Sequence, residues 1–209
     1  MVKTSRAPAW LAELRELRLA FGPGTLESVG DEAQRLGGRR VLLVADRGIE
    51  EAGHVERAVR SLERSGASVR LFGDVSENPS EAEVERGVQA AKEHRADLIV
   101  GLGGGSPLDC AKGVNFVYTN GGRMEDYWGF GKAERPMLPS IGIPCTAGTG
   151  SEAQSYAIIS RDADQRKMAC GDPKARFDHV ILDPTLPQTA PRAVRAVTGL
   201  DALSHAVES

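Results

Sequence analysis

The 209-residue chain is 41% hydrophobic and 26% charged, with a formal net charge of −3. This is the balance of a soluble globular protein, and the length suits one large domain or one and a fraction. The mild negative charge argues against nucleic acid or an anionic membrane surface as the main partner, and no apolar run approaches the roughly 18 residues of a membrane span.

The polar start Met1–Arg6 is followed by no signal-peptide apolar core, so the cytoplasm is the expected compartment. Leu17-Arg-Leu-Ala-Phe21 alternates and predicts a strand, closed by Gly22-Pro-Gly24. Thr25 is a candidate cap for a helix from about Leu26 to Leu36. Arg40-Val-Leu-Leu-Val-Ala45 is a continuous apolar run, the mark of a strand buried on both faces, and it ends at Asp46. Val55, Ala58, Val59 and Leu62 fall at helical spacing. Ser68-Val-Arg-Leu-Phe72 predicts a further strand, Asn78-Pro79 a turn, and Ser80-Glu-Ala-Glu83 a capping box that opens a helix.

Asp97-Leu-Ile-Val-Gly101 then runs into Gly103-Gly104-Gly105, and a helix from Pro107 to about Tyr118 follows, with Ser106 as its expected cap. Ser140-Ile-Gly-Ile-Pro144 predicts a strand feeding the Thr146–Ser151 turn. Tyr156–Ile159 and Lys167–Cys170 flank a plausible hairpin, and Val180-Ile-Leu182 is a last short strand. Alternating strands and helices imply a parallel sheet wrapped by helices. From Ala190 the texture turns helical, with Gly199 expected to separate two helices. The expected organisation is an α/β domain over residues 1–184 and the beginning of a helical domain over 185–209.

A strand, a glycine turn and a helix N-terminus make an anion site, because amide N–H groups and the helix dipole converge where no Cβ intrudes. Gly101-Leu-Gly103-Gly-Gly-Ser106 nearly spells the dinucleotide fingerprint G-x-G-x-x-G, and Glu125 and Asp126 lie about 20 residues on. That acidic pair sits in a loop rather than at a strand end, so the ordinary Rossmann reading is rejected. Cys110, Cys145 and Cys170 show no C-x-x-C spacing. Cys110 is read as a small buried side chain, with a thiol activated by the helix N-terminus as the alternative.

Gly103-Gly-Gly-Ser-Pro-Leu-Asp-Cys-Ala-Lys112 resembles the cofactor-diphosphate loop of the iron-containing (group III) alcohol dehydrogenases. Val44-Ala-Asp46-Arg-Gly48, Pro144-Cys-Thr-Ala-Gly-Thr-Gly-Ser-Glu152 and Thr198-Gly-Leu-Asp-Ala-Leu-Ser-His-Ala-Val-Glu208 match further motifs of that family in the same order. The resemblance implies the family's dehydroquinate synthase-like nucleotide-binding fold. It also implies an NAD-dependent, divalent-metal-dependent alcohol or aldehyde oxidoreductase, with Fe²⁺ the expected metal and Zn²⁺ the alternative. A non-catalytic nucleotide-binding module without a complete metal site is the competing reading. Relatives that share these loops, such as glycerol dehydrogenases and maleylacetate reductases, leave the substrate open.

Asp46, at a strand end, suits the hydroxyls of an adenosine ribose and would repel a 2′-phosphate, which favours NAD over NADP; a helix N-cap is its alternative role. Gly104, Gly105 and Ser106 are expected to hold the diphosphate through main-chain N–H groups. Asp109 is expected at the third helical residue, orienting the turn, and Lys112 reads as a helix surface charge. Thr146 and Thr149 lie in the second glycine turn, where Cys145 stands in place of a threonine common in the family. Asn78 and Lys167 match family positions that approach the cofactor, although as residues they read as a turn former and a surface lysine. Asp201 and His205 share one helix face. Alone, such a pair is usually a polar contact; the resemblance makes them two of four iron ligands, the other two being histidines downstream. The chain therefore reads as the cofactor half of a longer enzyme. Its expected partners are a small alcohol or aldehyde and either a second copy or a further C-terminal helical domain, with no nucleic acid and no membrane.

Overall fold

The computed structural model describes residues 18–208. Leu17 and the N-terminal stretch before it lie outside the described residues. A six-stranded parallel sheet forms the centre: β1 (Arg18–Phe21), β2 (Arg40–Val44), β3 (Ser68–Phe72), β4 (Leu98–Gly103), β6 (Ser140–Pro144) and β9 (His179–Leu182). Their spatial order is β1-β9-β6-β4-β2-β3. A second sheet of three strands carries β5 (Gly129–Phe130), β7 (Tyr156–Ser160) and β8 (Lys167–Gly171). In it β7 and β8 pair antiparallel as the expected hairpin.

The apolar strands are apolar because both of their faces are covered. Along β2, Leu42 and Val44 enter one core cluster while Val41 and Leu43 enter the other, the two-residue alternation of a pleated strand. The first cluster packs β2 and β4 against α4 (Glu81–His94), α5 (Gly105–Asn120) and the small sheet. The second packs the opposite face against α1 (Val29–Arg35) and α3 (His54–Arg64). A short α2 (Arg47–Glu51) precedes α3, and α6 (Arg192–Glu208) ends the described chain. The architecture is the expected α/β fold.

Several elements differ locally from expectation. Residues 25–28 form a 3-10 turn before α1, and the Thr25 hydroxyl donates back to the Gly22 carbonyl at 2.8 Å instead of capping. A single helix, α6, passes through Gly199 without a break; a lone glycine weakens a helix by about 1 kcal/mol and need not stop it. The capping box at Ser80 and Glu83 forms as expected. The Glu125–Asp126 segment is a 3-10 turn in which the Asp126 carboxylate accepts from the Arg123 amide, so it caps locally.

Gly142, in the middle of β6, shows how tightly the layers close. A Cβ there would lie 2.6 Å from the ring of the buried Phe177. Overpacking of a filled core costs about 1–3 kcal/mol. Gly142→Ala is therefore expected to lower the midpoint of urea unfolding by that amount at unchanged slope, and an unshifted midpoint would show that the two layers are not in contact at this point.

Candidate functional site

The strand order reverses between β2 and β4: the chain runs outward from β2 to β3, then crosses to the other side of β2. At such a reversal the following helices leave on opposite faces and open a crevice beyond the strand ends, the usual ligand position in an open α/β sheet. Asp46 follows β2 and Gly103–Ser106 follow β4. The two meet, since a Cβ on Gly103 would sit 3.3 Å from the Asp46 carboxylate. Gly103 also has φ +147° and would collide with the Pro107 ring at 2.7 Å. A side chain is excluded there by both torsion and space.

Helix α5 begins earlier than expected. Its N-cap is Gly104 and its first residue Gly105, so Ser106 is the second helical residue and not the cap, and no side chain caps the first turn. Extended backbone at Gly104 carries the chain from the sharp turn at Gly103 straight into the helix. Sixteen helical residues thus point an uncapped N-terminus into the crevice, which supplies amide donors and the positive end of the helix dipole. The Ser106 hydroxyl accepts from the Asn78 amide at 3.2 Å and so anchors the Asn78-Pro79 turn beside it. Glu83 holds the same segment, accepting from the Ser76 and Ser80 amides at 2.7 Å each. Burial would raise the Glu83 carboxyl, and these contacts, with the Ser80 cap, bring it below its ordinary range.

Two cavities share Asp46, Gly48 and Gly104. One, of about 330 Å³, extends over Ser76, Glu77, Gly105 and Ser106. The other, of about 550 Å³, extends over Cys145, Thr146, Leu186, Thr189 and Val194. Asp46 serves both as wall and as cap: the Ile49 amide donates to its Oδ1 at 3.0 Å, while its other oxygen faces Gly103. The Thr146 hydroxyl oxygen is buried without a hydrogen-bond partner, and a Cβ on Gly104 would meet it at 3.5 Å. Thr149 rests on Gly105. Lys167 is exposed at the start of β8 and lines neither cavity. The fold therefore gathers Asp46, Gly104, Gly105, Ser106 and Thr146, sets Asn78 and Thr149 against that group, and leaves Lys167 aside.

Two residues stand where sequence reasoning did not put them, and a third, His54, has a place that the sequence does not indicate. Lys112 is buried under the second glycine loop. Asp109 is the fifth residue of α5 and is also buried. Burial pushes its carboxyl up to about 6 against the pull of Lys112. His54, at the start of α3, lies 2.7 Å from the Thr189 hydroxyl in the wall of the larger cavity. That hydroxyl donates to the Leu186 carbonyl, so the histidine Nε2 is the donor. Burial lowers the His54 pKa, aided by Arg57, which keeps the ring neutral. Burial also pushes the Cys110 thiol far up, so it is the inert small side chain and not an activated one.

Asp201 and His205 lie on α6 with Oδ1 and Nε2 3.6 Å apart, both well exposed. Among the described residues no group of three or more His, Cys, Asp and Glu side chains is placed to hold a metal, so the chain offers two donors here. Gly148 brings them to the site: its φ is +118°, and a Cβ on it would meet the Thr198 carbonyl at 2.4 Å and an Asp201 carboxylate oxygen at 3.1 Å. The second glycine loop thus seats the helix that carries the pair.

The sequence profile described as iron-containing alcohol dehydrogenase matches residues 17–184. The chain belongs to that family. It is 36% identical over 189 residues to the NAD-dependent methanol dehydrogenase of Bacillus methanolicus, covering 90% of this chain and 50% of that enzyme. The crystal structure of 1,3-propanediol oxidoreductase superposes with a TM-score of 0.88 at 34% identity, covering 91% of this chain and 50% of the other. A sulfoacetaldehyde reductase from Bifidobacterium kashiwanohense, solved in complex with NAD⁺, superposes with a TM-score of 0.83 at 27% identity, over 93% of this chain and 51% of that one. The chain spans about half the length of the curated relatives it matches. No helix among the described residues is long and apolar enough to cross a membrane.

The contact at Gly148 yields a test of how the family's last motif is attached. Gly148→Ala introduces both strain and a backbone collision. It is expected to speed amide hydrogen exchange across residues 192–208 while leaving β4 protected, and unchanged exchange in α6 would show that the loop does not seat it.

Proposed function

We propose that this chain is the cofactor-binding part of an NAD-dependent, iron-dependent alcohol or aldehyde oxidoreductase of the cytoplasm. The observation that carries the reading is the crevice between β2 and β4, where an uncapped helix N-terminus, a glycine turn and the buried, unpartnered Thr146 hydroxyl converge on Asp46. A diphosphate fits that donor set: amides at Gly104, Gly105 and Ser106 donate to its oxygens, and the helix dipole favours its charge. Asp46, one oxygen committed to the Ile49 amide, has the other to accept from ribose hydroxyls. Thr146 supplies a hydroxyl with no competing partner. Asn78 and Thr149 complete the proposed cofactor set through the loops they build, whereas Lys167, matched to the family by sequence alone, lines neither cavity. The relatives' names and the NAD⁺ complex support the choice of cofactor.

Asp201 and His205 fit half of a divalent-metal site, carboxylate and imidazole being ordinary ligands of Fe²⁺ and Zn²⁺. When bound, NAD takes up the hydride equivalent lost by an alcohol and the metal supplies Lewis acidity at the substrate oxygen. The chain's own part is to bind and orient: α5 fixes the diphosphate, and Gly148 fixes the distance from the second glycine loop to Asp201.

Asp46 separates cap from ligand. Asn is as good an N-cap as Asp, so Asp46→Asn should leave thermal stability unchanged. Two like charges at 4 Å repel by about 1 kcal/mol even in water. Calorimetric titration should therefore show NAD bound more tightly than NADP by the unmutated chain, with the preference shrinking about fivefold in Asp46→Asn. Tighter binding of NADP by the unmutated chain overturns the assignment. Metal analysis after anaerobic dialysis against Fe²⁺ should find weak binding that His205→Ala abolishes. NAD binding with Fe²⁺ uptake indifferent to His205→Ala would favour a nucleotide-binding module without this metal site.

A further inference from the structure

Lys112 is among the most deeply buried large side chains of the described residues, with 2% of its surface exposed. Its ammonium has three protons to donate, and three backbone carbonyls receive them: Ser151 at 2.6 Å, Gln154 at 2.9 Å and Tyr156 at 2.9 Å. All three belong to the segment leading out of the second glycine loop into β7. Ser151 and Gln154 lie in irregular chain and Tyr156 opens β7 on the edge of the small sheet, while the Ser155 carbonyl between them accepts from the Asp172 amide, so the three carbonyls on Lys112 take their donor from outside the sheet. An apolar side chain would fill the same space without the cost of burying a charge. What only the lysine provides is a fixed position for those three peptides.

The same loop meets the same helix at a second point. Thr149 lies against Gly105, the first residue of α5. Gly105 and Lys112 are seven residues apart, about 10 Å along a helix axis. The loop is thus clamped at two points on the helix whose N-terminus forms the diphosphate turn. We propose that Lys112 is a positioning residue that locks the second glycine loop to α5 and so sets the spacing between the two loops that grip the cofactor. This rests on the NAD reading above. Asp109, one turn earlier on α5, approaches the ammonium at 3.9 Å and has an oxygen with no hydrogen-bond partner. Burial pulls Lys112 down to about 8, with Asp109 and Glu152 pulling the other way, so the lysine carries its charge at neutral pH. The Phe177 ring lies 5.3 Å from the ammonium.

The test is Lys112→Met in the full 209-residue chain, which keeps length and removes the donors. NAD and 5′-AMP are titrated separately, because AMP reaches Asp46 and the first turn without needing the second loop. Loss of loop preorganisation should weaken NAD by about tenfold and leave AMP affinity unchanged. Hydrogen exchange should quicken in residues 149–156 and stay slow in β4. Equal losses for NAD and AMP would mark a general structural role and overturn the proposal, as would unaltered NAD affinity in the folded variant. If the unmutated chain binds no NAD, the cofactor reading fails, whereas the exchange pattern still decides whether Lys112 holds the loop. Should Lys112→Met not fold because Asp109 is left without a cation, Asp109→Asn with Lys112→Met removes both charges and is judged by the same readouts.

Discussion

All six strands of the main sheet run the same way, so every strand-to-helix turn that follows one of them opens on one edge. Parallel pairing requires a crossover after each strand, and the crossovers bury both faces of the sheet. The carboxyl ends of β2, β4 and β6 then stand side by side, and the reversal of strand order separates the helices that follow β2 and β4. The crevice is a consequence of topology before any particular residue fills it. Asp46, Gly103–Ser106 and Cys145–Thr146 belong to one site because each is what its own strand ends in.

Within that frame the site is built by subtraction as much as by placement. Gly103 and Gly148 omit side chains where backbone must turn or where another element must come within contact distance. The first clears the mouth of α5, and the second lets α6 settle on the second loop. What the glycines leave unsupported, buried polar side chains restore. Glu83 holds the Ser76–Ser80 segment, Asn115 accepts from the Leu138 amide and donates to its carbonyl, and Lys112 holds the exit of the second loop. The loops around the cavities are thereby tied to regular elements, as a site needs if its geometry is to be set before a ligand arrives.

Much of this was legible in the residues. The continuous apolar runs of β2 and β4 could only be strands covered on both faces, and the Ser80–Glu83 box, the Gly103–Gly105 turn and the Lys167 hairpin each carried a local chemical signature. The misplacements have local causes as well. Lys112 reads as a surface charge because a lysine on a helix is ordinarily solvated, yet with Asp109 and Asn115, three residues to either side, it forms a polar stripe that is buried. The stripe faces two irregular segments whose peptides need partners. Ser106 and Pro107 are good first residues of a helix, yet the helix begins sooner, at Gly105. Gly199 is a weak helix residue, yet it left α6 unbroken.

What the sequence by itself determined is therefore a part of what near neighbours along the chain set: the strand and helix periods, the Ser80–Glu83 capping box, the glycine turn between β4 and α5, and the placing of Asp201 and His205 on one helical face. Tertiary structure alone decided which polar side chains face water and which face backbone. It joined Asp46 to Gly103 across β2 and β4, left the Thr146 hydroxyl without a partner, and brought Asp201 against Gly148. The physical reason is that hydrogen-bond satisfaction in a buried site is a relation between segments far apart in the chain, 39 to 44 residues for Lys112 and its three carbonyls, and no periodicity within one segment records the needs of another.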